Sequence, residues 1–328
     1  MLRMVPLSQR ERIDYSGLMT ATPPLNLAET SALTRKVATL SVAVALVLVA
    51  AKGAAWIASG SVALLASLAD SGLDLVASMA TLFAVRFAAA PPDAEHRFGH
   101  GKAEAFASLL QGGLVFASAA LVGRESIAGL LDPRPVAAGG WALGVMGLSI
   151  VLTLMLITAQ SRVLKQARSV AIHGDRAHYA ADLASNGAAI VGIAGAAFLG
   201  LAWLDAAAGL AVALWLVWGA IGVFREAAGQ LMDHELDDAA RERIVALMTQ
   251  DPLIKGVHQL RTRASGPYIH IQMHADFDPG LSLTETHDAM VAGEKRVLAE
   301  FPAADIIIHP DPRGRAEPHG GAFAETTH

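Results

Sequence analysis

Between about Val37 and Val223 this chain is a succession of apolar stretches, most of them long enough to cross a bilayer. This constrains the fold before anything else does. Backbone inside hydrocarbon must pair every N–H and C=O internally, and a helix does so within one segment. Hydropathy predicts six helical spans near residues 37–58, 62–86, 104–130, 138–162, 177–201 and 204–225. Composition agrees: 53% of the 328 residues are hydrophobic and 17% are charged, against about 25% charged in a soluble domain. The chain has no cysteine, which excludes thiolate metal sites and disulfides. A net charge of −5 argues against nucleic acid as a partner.

Basic residues are unevenly shared between the connections. Arg10, Arg12, Arg35 and Lys36 precede the first span; Arg86, Arg97 and Lys102 follow the second; Arg162, Lys165, Arg168 and Arg176 follow the fourth. Lys52, Arg124 and Arg134 form a minority assigned to the other side. The positive-inside rule then puts both termini in the cytoplasm. The opening segment is too polar for a signal-peptide core, and residues 1–35 read as a flexible extension. Residues 36–230 form the expected membrane domain.

After Met232 the pattern becomes that of a soluble domain. DDAARERIVALMTQ is amphipathic, VHQLRTRAS and YIHIQMHADFD alternate with period two, LTETHDAMVAGEKRVLAEF is a second helix, and ADIIIHP a last strand. The order αββαβ over residues 231–312 predicts an α+β domain, a small antiparallel sheet with two helices on one face. Residues 313–328 read as a disordered tail.

Polar pairs interrupt two of the apolar stretches. Asp70 and Asp74 in the second span, and His178 and Asp182 in the fifth, each have i, i+4 spacing and share a helix face. A carboxylate at the bilayer centre costs roughly 2.5–3.5 kcal/mol on insertion scales, so three carboxylates and an imidazole need a partner that offsets the cost. One nitrogen and three oxygen donors suit a tetrahedral divalent metal such as zinc. Asn186, one turn beyond Asp182, either lines the same cavity or packs.

Two further groups have metal-binding chemistry. Asp93, His96 and His100 share the loop PPDAEHRFGHGKAE and can meet if the loop curls; exposed histidines in such loops also occur merely solvated. His258, His274, His287, His309 and Asp311 are spread over the strands and second helix of the soluble domain and could converge on one sheet edge. His270 shares strand parity with His274 and is its neighbour.

LADSGLD in the second span, HRFGHGKAE in the next loop, HYAADLASNG in the fifth span, and RTRASGPYIHIQMH and DIIIHPDP near the end together resemble the cation diffusion facilitators, most closely the bacterial zinc-efflux branch. The resemblance covers roughly Lys36 to Pro312. It implies a transport site at Asp70, Asp74, His178 and Asp182, and a loop site at Asp93, His96 and His100. It also implies a cytoplasmic binuclear site at His258, His274, His287, His309 and Asp311. Further implied are a metallochaperone-like terminal domain, a homodimer joined through it, and a charge interlock of Lys102 with Asp233. The function expected on these grounds is Zn²⁺/H⁺ antiport out of the cytoplasm across a bacterial inner membrane. Zn²⁺ would be both cargo and regulator, and H⁺ the counter-ion. Fe²⁺, Cd²⁺, Co²⁺ or Mn²⁺ as cargo is the alternative, since ligand identity discriminates poorly among these ions. An intramembrane metalloenzyme would need a general base beside its metal, often as HExxH, which the sequence lacks. A membrane-anchored sensor without transport has no use for costly ligands in mid-membrane.

Overall fold

The computed structural model describes residues 26–60, 62–131, 140–199 and 203–315. The expected flexible start up to residue 25, Arg134, and the expected tail beyond residue 315 lie outside them. The chain divides into two compact units that meet in sequence between Met232 and Asp233.

Six long helices make up the first unit: α1 (Leu27–Ser59), α2 (Val62–Ala88), α3 (Ala103–Leu131), α4 (Gly140–Leu164), α5 (Val170–Leu199) and α6 (Trp203–Leu231). Each extends past the predicted span at one end or both, furthest in α1, α5 and α6, where the helix continues through polar residues that hydropathy leaves out. Among the described residues, α1, α2, α3, α4 and α6 are long and apolar enough to cross a membrane. The first half of α5 carries Asp175, Arg176, His178 and Asp182, which lower its hydropathy.

Many large apolar side chains point outward from this unit, and many of its buried positions are small residues. Phe83, Val151, Leu214 and Trp218 are exposed, whereas Ala38, Ala45, Ala171 and Ala220 are fully buried together with Ser41, Ser78 and Ser108. In lipid a large apolar side chain gains little by leaving the surface, so close backbone approach through small residues holds the helices together. At Gly174 on α5, an added Cβ would lie 3.1 Å from the Ser108 Cα on α3. At Gly209 on α6 it would collide with Ser126 Oγ. Neither position admits a side chain without moving a neighbour.

The second unit contains α7 (Asp238–Met248), β1 (Gly256–Ser265), β2 (Tyr268–Phe277), α8 (Leu283–Glu300) and β3 (Ala304–Pro312), in the predicted order. Asp237 caps α7 by accepting from the Ala240 N–H at 2.7 Å, and Ser282 with Glu285 forms a capping box at the start of α8. Ile271, Met273, Ala275 and Phe277 of β2 join Ile244 and Met248 of α7 and Val297 of α8 in one core. Alternation then gives His270, Gln272, His274 and Asp276 to the opposite face. One expectation is corrected. β1 and β2 are antiparallel, but β3 runs parallel to β2, so the sheet is mixed, in order β1-β2-β3. The connection from β2 to β3 passes through α8, a crossover of the kind that joins parallel strands.

Candidate metal centres

The membrane group forms where α2 meets α5. His178 Nε2 lies 2.9 Å from Asp74 Oδ1 and 3.9 Å from Asp182 Oδ2, and the three residues bring one ligand atom each within 4.8 Å of the others. His178 is 4% exposed, and its Nδ1 is buried without a hydrogen-bond partner. Such an atom is costly to leave unpaired in a low-dielectric interior. Two carboxylates and an imidazole converging on one point suit a divalent cation. Asp70 stands one turn before Asp74, exposed on α2 and outside the compact three. It still interacts electrostatically with Asp74 and His178.

Beside this group lies a buried polar network that sequence reasoning did not find. Asp175, fully buried on α5, accepts from Ser41 Oγ of α1 at 2.6 Å, Gln160 Nε2 of α4 at 2.7 Å and Gln111 Nε2 of α3 at 3.0 Å. The Ser78 hydroxyl of α2 approaches Asp175 at 3.5 Å and pairs with the Tyr179 hydroxyl at 2.9 Å. Asp175 thus gathers donors from four other helices, three residues before His178. At the start of α5, Glu104 of α3 accepts from Ser169 Oγ at 2.6 Å and from the Val170 and Ala171 N–H groups. A carboxylate at a helix N-terminus meets unpaired donors and the positive end of the dipole. These contacts fix the depth at which α5 presents His178.

The predicted loop group is also assembled. Asp93 Oδ1 accepts from the backbone N–H groups of His96 at 2.6 Å and Glu95 at 2.9 Å, which curls the loop. Asp93 Oδ2 lies 3.2 Å from His100 Nε2, and His96 Nδ1 lies 3.3 Å from Asp93 Oδ1. The His96 N–H bond, with further donors around it, holds the Asp93 carboxyl below the usual carboxylate range. His100 is tucked under Phe87, and Gly99, with φ +78°, makes the turn that brings it back.

Strand register builds the third group. His258 pairs with His274, and His274 with His309, so three imidazoles line up across the sheet. Asp311 is the hub: its Oδ2 lies 2.8 Å from His274 Nδ1 and 3.2 Å from His258 Nε2, and its Oδ1 3.4 Å from His309 Nε2. His258 Nε2 is buried and makes no hydrogen bond, so proximity alone does not satisfy it. Asp276, which the sequence reading passed over, lies 3.6 Å from His258 Nε2. Its period-two relation to His274 was the available signal. His287 stands apart: α8 turns Thr286, Ala289, Gly293 and Val297 inward, which leaves His287 exposed on the other face.

The two residues assigned to an interlock have contacts within their own units. Lys102 Nζ donates to the Leu231 carbonyl at 3.3 Å, and Asp233 Oδ2 accepts from Arg263 Nη1 at 3.0 Å. Lys52, assigned by its charge to the side opposite the termini, is buried where α1 packs on α2, with its ammonium turned to α2.

Comparison with known proteins matches residues 38–232 to the cation efflux transmembrane domain and residues 236–313 to the cytoplasmic domain of cation efflux proteins. Among curated relatives, the cation-efflux pump FieF of Salmonella arizonae is 37% identical over 285 residues, 85% of this chain and 93% of its own. That of Salmonella schwarzengrund is 36% identical over 296 residues, 89% and 97% of the two chains. A solved chain described as the zinc form of CzrB, a candidate zinc transporter, is 26% identical, covers 26% of this chain and 98% of its own, and has a TM-score of 0.25. Both units are therefore matched in order, and relatives align along most of their length. The chain belongs to the cation diffusion facilitator family and is a multi-pass membrane transporter that exports divalent cations.

Proposed function

We propose that this transporter exports Zn²⁺ from the cytoplasm in exchange for protons. It would do so as a homodimer in a bacterial inner membrane with both termini inside. The observation that carries this reading is the group of Asp74, His178 and Asp182 between α2 and α5, the first two buried and Asp182 half-buried, with Asp70 at its edge. Imidazole must be neutral and carboxylates ionised to hold a metal, so protons and metal compete for the same lone pairs. Opening such a group alternately to the two sides exchanges one for the other. An imidazole in the set favours zinc over ions that prefer oxygen alone.

The loop group of Asp93, His96 and His100 and the sheet group of His258, His274, His309 and Asp311 are proposed as further zinc sites. The sheet group would sense cytoplasmic metal and draw the two protomers together as it fills. No cargo needs to pass it to leave the cell, because it follows the last span in sequence. His287 would join it only after α8 moves or through the second protomer. Lys102 and Asp233 would tie the membrane and terminal units together.

Uptake of ⁶⁵Zn into proteoliposomes with an imposed pH gradient tests the proposal. Accumulation should follow the gradient and collapse with a protonophore. Accumulation of Mn²⁺ or Fe²⁺ in preference to Zn²⁺ would replace the ion, and equilibrium binding without accumulation would replace transport with sensing.

A further inference from the structure

Lys52 is the only buried lysine or arginine among the described residues. An ammonium inside a membrane span is costly and marks function unless it escapes to the interface. The end of α1 at Ser59 lies seven residues on, about 10 Å along the axis, and a lysine stem covers part of that distance. The side chain instead crosses to α2, where Nζ donates to Ser71 Oγ at 2.6 Å and to the Ser67 carbonyl at 3.2 Å. Ser67 and Ser71 are one turn apart and bracket Asp70. From there the ammonium interacts electrostatically with Asp70 and with Asp182.

Charge counting gives this placement a consequence. Asp70, Asp74 and Asp182 bring three negative charges, a divalent ion brings two positive, and Lys52 brings the third. Inside a low-dielectric interior, an unbalanced charge acts on its neighbours with little screening. We propose that Lys52 is a resident counter-cation of the membrane metal site, weakening the carboxylates' hold on the ion so that it can leave. The proposal rests on the reading of Asp74, His178 and Asp182 as the transport site. Ser67 and Ser71 act as the tether that keeps the ammonium beside Asp70 and out of the ligand set. Binding strength and turnover are then set against each other by one side chain that does not touch the cargo.

The test uses full-length protein carrying His96→Ala with His100→Ala and His274→Ala with Asp311→Ala, which remove two ligands each from the loop and sheet groups. Zinc affinity is measured by calorimetry in nanodiscs, and transport KM and kcat in proteoliposomes at saturating proton gradient. Lys52→Met keeps the stem and removes the charge. It should tighten zinc binding by roughly tenfold or more, lower KM with it, and lower kcat because release slows. Lys52→Arg, which keeps the charge, should restore both values towards those of the parent. Should Lys52→Met not fold, Lys52→Gln carries the same expectation, because its amide can still bond Ser71. A folded neutral variant whose zinc affinity is unchanged or weaker would overturn the inference. Asp74→Ala in the same background separates the two failures. If it abolishes zinc binding while the neutral Lys52 variants bind as before, only the role of Lys52 is lost. If Asp74→Ala leaves binding intact, the transport-site reading falls and takes the inference with it.

Discussion

The two units hold similar sets of ligand atoms in opposite ways. In the membrane unit, Asp74, His178 and Asp182 come from two helices, and the supporting groups are buried: Asp175 at 0% and Glu104 at 2% exposure. In the terminal unit, the histidines stand one per strand at the sheet surface, and the His309 side chain is 61% exposed. Water can replace a missing partner in the second case. In the first it cannot do so readily, because side chains sunk among apolar helices pay for every unmet donor or acceptor. The membrane group is therefore the part of the molecule least able to lose a member, and the sheet group the part able to adjust.

The largest expected effect tests the membrane side of that contrast. Asp74→Ala should reduce zinc flux by at least about 100-fold, since losing even an outer partner of a metal site typically costs 10–100-fold. Size-exclusion chromatography should show the folded oligomer unchanged. Flux near the parent level would place the cargo elsewhere.

Asp175→Ala should come next. It strands Ser41, Gln111 and Gln160, whose donors converge on its carboxylate. Each buried donor left unmet costs about 1–3 kcal/mol. Thermal unfolding of the purified protein should shift down by several degrees, with Asp175→Asn recovering part of the loss. An unchanged transition would mean that the helices repack around the gap without cost.

Asp311→Ala removes the hub of the sheet group. Zinc bound by that group should weaken by about 10–100-fold, while transport persists with a shallower dependence on cytoplasmic zinc. Complete loss of flux in a folded variant would put the sheet group on the transport path and erase the contrast between the units.

The smallest effect concerns pH. Burial pushes the His270 imidazole below its ordinary range, more than the neighbouring Asp305 raises it. The folded form thus prefers neutral His270, and the unfolded form takes up a proton more readily. Stability from this residue is complete above the unfolded value near 6.5 and declines as pH falls below it. Hydrogen exchange over β2, corrected for intrinsic rate, should quicken between about pH 6.5 and 5. His270→Phe should flatten that dependence.

Much of this was legible in the sequence, for definable reasons. Two i, i+4 pairs in apolar stretches identified the membrane group because helical spacing and insertion cost are local properties. Period-two alternation placed His258, His274 and His309 on strands, but their alignment depends on register, which the flanking sequence does not state. Asp175 escaped because the fifth span was started at residue 177, whereas α5 begins at Val170. Hydropathy excluded the carboxylate that interrupts it. Charge counting does not reveal the partners of Lys52 on α2, which depend on how two helices pack. The parallel β2–β3 pairing and the outward face of His287 both follow from how α8 packs, a tertiary matter that no window of sequence records.

The central claim is that cargo and protons compete for one set of atoms in the membrane unit. Zinc titration by calorimetry, in buffers of different ionisation enthalpy, counts the protons released when the ion binds. It is best done in the background without the loop and sheet groups. Competition predicts release of at least one proton per zinc, an apparent affinity that falls from about pH 7.5 to 5.5 across the range where imidazole titrates, and loss of most of that dependence in His178→Ala. Zinc binding at that site with no proton released would contradict it.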